Sequence, residues 1–119
     1  MPEPQEQNVV RKLGETERRV LGVLLEKALT TPEYYPMTLK GLTSGCNQKN
    51  NRDPVLELSE DDVDEAVSEL EKVGLTERLF PESGRTERIR HWARKRFSFS
   101  EAQLAIMTEL WLRGRQSLV

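Results

Sequence analysis

The run Leu58-Ser59-Glu60-Asp61-Asp62-Val63-Asp64-Glu65-Ala66-Val67-Ser68-Glu69-Leu70-Glu71-Lys72-Val73-Gly74 decides how this chain is read. Val63, Ala66, Val67, Leu70 and Val73 recur three and four residues apart, which is one apolar stripe at the period of an α-helix. Ser59 stands at the N-cap. Asp62, three residues on, makes a shortened capping box, and Leu58 and Val63 occupy the positions of a hydrophobic staple. The acids of the first turn face the positive end of the helix dipole, each worth ~0.5 kcal/mol. Gly74 closes the helix as a left-handed C-cap.

Beyond Gly74 the period changes. Leu75 to Phe80 and Arg85 to Trp92 read as two strands around the turn-forming set Pro81-Glu82-Ser83-Gly84, a β-hairpin. Upstream, a helix from about Glu15 to Leu29 carries Val20, Leu21, Leu24, Leu25 and Ala28 on one stripe, and Pro32 and Pro36 forbid its continuation. Thr38 caps a short second helix with Leu39, Leu42 and Cys46 at core spacing, and Met37 and Leu42 form its staple. Downstream, Ser100 and Gln103 form a capping box, with Phe99 and Leu104 as staple, for a helix from about Glu101 to Arg113 that Gly114 closes.

Three helices followed by a hairpin is the order of a winged helix-turn-helix. The expected fold is therefore α+β, mainly helical: a winged helix followed by the first helix of an incomplete second unit. Residues 1–12 read as a disordered tail, 13–97 as the winged-helix domain, and 98–119 as the opening helix of the truncated second unit. That last assignment comes from an internal echo. Gly14-Glu15-Thr16-Glu17 leading to Val20, Leu21, Leu24 and Leu25 matches Ser100-Glu101-Ala102-Gln103 leading to Ile106, Met107, Leu110 and Trp111. A chance match between two amphipathic helices is the competing explanation.

The chain has 119 residues, one domain's worth, and no apolar run approaches the length a bilayer needs. Its polar, proline-broken N-terminus resembles neither a signal nor a transit peptide, so a cytoplasmic location is expected. One cysteine and one histidine make neither an internal disulfide nor a convincing zinc site, and no cofactor is expected. The net charge of −2 hides an uneven distribution. From Glu57 to Glu71 every charged residue is acidic, whereas Lys72, Arg78, Arg85, Arg88, Arg90, Arg94, Lys95 and Arg96 reverse the balance. Whole-chain charge argues against nucleic acid, and the later segment argues for it.

Several separate motifs occur in order: Leu24-Leu25-Glu26-Lys27, Thr30-Thr31-Pro32, Tyr35-Pro36, Cys46-Asn47-Gln48-Lys49 and Asn51-Arg52-Asp53-Pro54-Val55. Together they resemble the signature of the YceH-like family of bacterial proteins. The resemblance runs from about Leu13 into the last helix. It implies two winged-helix units in tandem, and it implies no ligand or activity.

The stretch from Gln48 to Arg52 has two readings. As a contact surface, its Asn and Gln suit adenine and its Arg suits guanine, with Lys49, Asn50 and Arg52 as the residues that reach DNA. As a structural turn, Asn50 or Asn51 takes a left-handed backbone, Asp53 bonds its own backbone and Pro54 fixes φ. In the hairpin, Arg85, Arg88 and Arg90 are placed to track phosphates, assisted by His91 if protonated. The competing role is charged protection of exposed strand edges. The third helix argues the other way, because Asp61, Asp64, Glu65, Glu69 and Glu71 lie on the face that would enter a major groove. Cys46, on an apolar stripe, reads as a buried inert thiol. Trp111 and Leu112, without a second domain to cover them, read as an interaction surface suited to self-association.

No catalytic arrangement emerges around the only histidine, and no glycine-rich phosphate loop is present, so an enzyme is not expected. The expected function is binding of double-stranded DNA, with transcriptional regulation as the corresponding role. The alternative is a protein-interaction or dimerisation module using the acidic third helix and the C-terminal helix, with a homodimer as the simplest assembly. Neither reading involves a membrane or a small-molecule ligand.

Overall fold

The computed structural model describes residues 13–80, 86–93 and 100–113. The expected tail, the turn Pro81 to Gly84, Arg85, Arg94, Lys95, Arg96, Phe99 and Gly114 lie outside those residues. The elements are α1 (Glu15–Thr30), α2 (Leu39–Cys46), α3 (Glu60–Lys72), β1 (Thr76–Leu79), β2 (Arg88–His91) and α4 (Glu101–Arg113), with a 3-10 turn at Pro32–Tyr34.

α1 is the central helix, packed by α2, α3, α4 and β2. Val20, Leu21, Val23, Leu24 and Leu25 are fully buried on it, each worth ~1.5–3 kcal/mol of transfer free energy. Gly14 precedes it in extended conformation, and its backbone N–H donates to Glu17 Oε1 at 2.8 Å. The remaining caps follow the sequence reading. Thr38 Oγ1 accepts from Gly41 N at 3.0 Å. Ser59 and Asp62 exchange two bonds of 3.0 Å, and Ser100 and Gln103 exchange bonds of 2.9 and 3.2 Å. Gly74 takes φ 79°, the left-handed conformation its place after α3 requires.

β1 and β2 pair antiparallel in the register Thr76↔His91, Glu77↔Arg90, Arg78↔Ile89, Leu79↔Arg88. Both strands are shorter than the sequence pattern suggests. Met37 adds a single isolated rung on the other side of β2: its N–H donates to Ile89 O at 3.0 Å and Ile89 N–H donates to Met37 O at 2.7 Å. A single extended residue between α1 and α2 thus joins the sheet, and Met37 and Ile89 are both buried beneath it. The result is an α+β arrangement of the winged-helix type: helix, short strand, two helices and a two-stranded ribbon.

α4 lies along α1, where Gly22 permits close approach. A Cβ at that position would meet Leu112 Cδ2 at 2.9 Å and Trp111 Cβ at 3.1 Å. Trp111 is 6% and Leu112 4% exposed. The expectation that these two residues lack cover is therefore corrected, because α1 covers them. Among the large apolar residues described on this helix Ile106 is exposed, at 54%, although its counterpart in the echo, Val20, is fully buried.

Candidate nucleic-acid interface

The 13-residue connection between α2 and α3 (47–59) is held by side chains that act as backbone substitutes. Asn47 Nδ2 donates to Leu58 O and Asn47 Oδ1 accepts from Leu58 N, both at 2.8 Å, which clamps the two ends of the loop as a strand pair would. Asn51 has φ 61°, a left-handed residue of the kind the turn reading foresaw. The peptide bonds Tyr35–Pro36 and Asp53–Pro54 are cis. Asp53 does not close on its own backbone as expected. Its N–H instead donates to Leu112 O of α4 at 2.8 Å.

Arg52 turns inward. Its side chain is 0% exposed and forms a forked ion pair with Glu26, at 2.7 Å from Nη2 to Oε1 and 3.3 Å from Nη1 to Oε2. Its Nε donates to Gly45 O at 3.0 Å, Nη1 also to Asn51 O, and Nη2 also to Gln48 Oε1. All five N–H groups of this guanidinium are thereby used. The expectation that Arg52 reaches DNA is corrected, since no donor is left for a phosphate or a base. Lys49 and Asn50 remain exposed on the outside of the same loop.

Arg19 is a second buried cation, 2% exposed, and nothing in the sequence marked it. It donates from Nη1 to Cys46 O at 2.9 Å and from Nη2 to Pro54 O. Burial pulls its guanidinium below the ordinary value and the neighbouring Arg52 adds to that shift. Cys46 is fully buried beside these arginines, and burial pushes its thiol up to about 12 against their attraction. It is the inert thiol foreseen.

In the ribbon, residues opposite one another share a face. Arg88 and Arg90 therefore lie on one face with Leu79 and Glu77, while Arg78 and His91 lie on the other with Ile89. Arg88 is exposed and donates to Pro36 O at 3.2 Å. Arg90 is half-buried, its Cζ 4.0 Å from the centroid of the Trp92 ring, and Trp92 Nε1 donates to Glu77 Oε1 at 3.1 Å. Arg85 lies outside the described residues. Burial, then Arg90, pulls His91 down to about 4, so at neutral pH it is an uncharged ring accepting from Ala93 N through Nδ1 at 3.1 Å. Tyr35 packs against it with ring centroids 5.7 Å apart and accepts from His91 N through its hydroxyl. The idea that His91 adds positive charge to the wing is corrected on the same ground.

Arg78 folds back over α3. It reaches Asp64 at 2.7 Å, Glu87 at 3.3 Å and Glu71 at 3.4 Å, and donates to Asp64 O and to Ser68 Oγ. Burial alone would lower its pKa, yet these carboxylates, Asp64 foremost, raise it. Lys72 pairs with Glu69 at 2.7 Å. Glu57, Glu60, Asp61 and Glu65 stay exposed with no ion pair among the described residues. The helix that would enter a groove is thus acidic on its open face.

Fold and surface together define a winged-helix-like domain with a partly basic ribbon and an acidic third helix. The chain belongs to the family described as "Protein of unknown function, DUF480", whose pattern matches residues 13–119. It is 51% identical over 106 residues to a UPF0502 protein of Geobacter sulfurreducens, covering 89% of this chain and 48% of that one. A UPF0502 protein of Geotalea daltonii is 48% identical over 106 residues, with the same coverage of 89% and 48%. One from Koribacter versatilis is 46% identical over 99 residues, covering 83% and 46%. The chain spans about half the length of the curated relatives it matches. The family resemblance read from the motifs is borne out. No helix among the described residues is long and apolar enough to cross a membrane.

Proposed function

We propose that this domain binds double-stranded DNA through phosphate contacts led by the wing, with α3 held back from the groove, in a role of transcriptional regulation. The observation that carries this reading is the placement of Arg88 and Arg90 two residues apart on one face of β2, in a fold of the winged-helix type. The fold contributes by analogy only, because fold class does not fix function. Lys49 and Asn50 add a second exposed polar point, while Arg52 serves the interior. Carboxylates on α3 would repel a phosphate backbone at close range, so contact led by the wing avoids a cost that major-groove insertion would incur. Such binding is largely independent of sequence and strongly weakened by salt.

Fluorescence anisotropy on a mixed-sequence duplex at low salt tests it. A dissociation constant tighter than about 100 µM is expected, with a salt slope that falls by about 1 in Arg88→Ala. No binding at that concentration ends the proposal. A second reading, a protein-interaction module that presents α3 to a basic partner, is favoured by Asp61 and Glu65, exposed and without an ion pair among the described residues. Asp61→Lys with Glu65→Lys separates the two. DNA affinity stays level or rises under the first reading, whereas partner binding is lost under the second.

A further inference from the structure

Between α1, the 47–59 loop and α4 lies a partly open cleft of about 120 Å³. α1 contributes Glu15, Arg18 and Arg19, the loop contributes Asp53 and Pro54, and α4 contributes Leu110 and Trp111. Its chemistry is divided. Arg19 is 2% exposed and, among the described residues, donates two of its five N–H groups, to the carbonyls of Cys46 and Pro54, while its buried Nε–H finds no acceptor among them. No carboxylate pairs with it at ion-pair distance among the described residues, in contrast to Arg52, whose five donors are all engaged. Arg18, beside it, spends one Nη on Leu13 O. Opposite in sign, Glu15 and Asp53 are exposed, and neither carboxylate has a hydrogen bond or ion pair among the described residues. Leu110 and Trp111 supply an apolar wall.

We infer that this cleft takes a small zwitterion, a free amino acid with a short side chain. Its carboxylate meets Arg18 and Arg19, its ammonium meets Glu15 and Asp53, and its side chain lies on Leu110 and Trp111. A simple anion is disfavoured because two carboxylates stand at the same site, and a simple cation because two guanidiniums do. The size fits a molecule of a few heavy atoms, since the same space holds about four waters at ~30 Å³ each. The inference is independent of DNA binding, because none of its residues belongs to the proposed wing contacts.

The test is a titration of the full chain with L-alanine, followed by NMR on the arginine Nε–H and leucine methyl signals. Acetate and methylammonium serve as half-ligand probes. Alanine should shift the Arg19 Nε–H and Leu110 methyl resonances with a dissociation constant of order 1 mM, and each half-ligand should bind at least tenfold more weakly. Arg18→Gln and Asp53→Asn, both at the cleft mouth and outside the core, should each weaken alanine about tenfold while leaving the spectrum folded. Unmoved signals at 50-fold excess over that constant would mean a cleft that holds water only and would overturn the inference. Acetate binding as tightly as alanine, or alanine binding unchanged in both variants, would overturn it equally.

Discussion

Arg19 and Arg52 donate to adjacent carbonyls at the same helix end, Arg19 Nη1 to Cys46 O at 2.9 Å and Arg52 Nε to Gly45 O at 3.0 Å. Two cations therefore stand at the negative end of the dipole of α2, a helix of only eight residues. They repel each other, and Glu26 neutralises just one of them directly. Separate carbonyls accept from each, Cys46 and Pro54 from Arg19 and Gly45 and Asn51 from Arg52, and Glu15 and Asp53 attract Arg19 from farther away.

Removing the carboxylate paired with Arg52 should be costly. Glu26→Gln leaves the Arg52 guanidinium buried and unpaired, and breaking a buried pair from one side costs about 3 kcal/mol. Urea unfolding should show a lower midpoint with an unchanged slope. A midpoint equal to that of the wild type would mean that Arg52 is held by the carbonyls of Gly45 and Asn51 alone.

The close approach of α1 and α4 at Gly22 sets two effects against each other. Gly22→Ala gains about 1 kcal/mol of helix propensity. The added Cβ, however, falls 2.9 Å from Leu112 Cδ2, and overpacking of this kind costs ~1–3 kcal/mol. Net destabilisation is expected, accompanied by a red shift of Trp111 fluorescence as α4 lifts. A variant more stable than wild type would show that α4 is not docked at this point.

His91 gives the fold a dependence on acid. Its pKa is about 4 when folded and near 6.5 when unfolded, so between those values the unfolded chain binds the extra proton and stability falls as pH drops. The contribution is present in full above about pH 6.5 and gone below about pH 4. Its size is on the order of 3 kcal/mol. Carboxylates titrate in part of the same window, so the check is a difference: urea midpoints from pH 7 to 4.5 should fall more steeply for wild type than for His91→Phe. Parallel curves would contradict the assignment.

Arg78 links ribbon to helix through Asp64, Glu71 and Glu87. Arg78→Met leaves these acids to repel one another near the open face of α3. Stability should drop by about 1–2 kcal/mol, after discounting for their partial exposure, and added salt should restore part of it by screening. A salt response identical to that of the wild type would show that Arg78 acts only through its bonds to Ser68 and the Asp64 carbonyl.

The sequence and the structure agree where the signal is local. Ser59 with Asp62, Thr38, Ser100 with Gln103, Gly74 and Asn51 all do what their residue type allows within four positions of themselves. The larger disagreements are long-range, while Asp53, expected to bond its own backbone, and the strand lengths are local ones. A charged residue within a helix reads as a solvated one, so Arg19 is invisible until Cys46 and Pro54 bring their carbonyls to it. Arg52 could be recognised only by knowing that Glu26 lies across from it. Met37 forms one rung of a sheet, too short to leave any periodicity. The cover over Trp111 and Leu112 did leave a trace: a glycine at position 22, inside an otherwise apolar helical stripe, marks a place where another backbone comes close.

Two of the motifs from which the family resemblance is read fall in or at the edge of the loop between α2 and α3. Arg52 and Asn47 there are engaged in fastening the loop to α1 and to itself, and the backbone of Asp53 fastens it to α4. A signature of that kind sorts proteins by their stitching. Two chains that share it can carry different charges on α3 or on the ribbon and so answer to different partners. The charges open to a partner sit elsewhere on the surface, at exposed positions such as Asp61, Glu65 and Arg88.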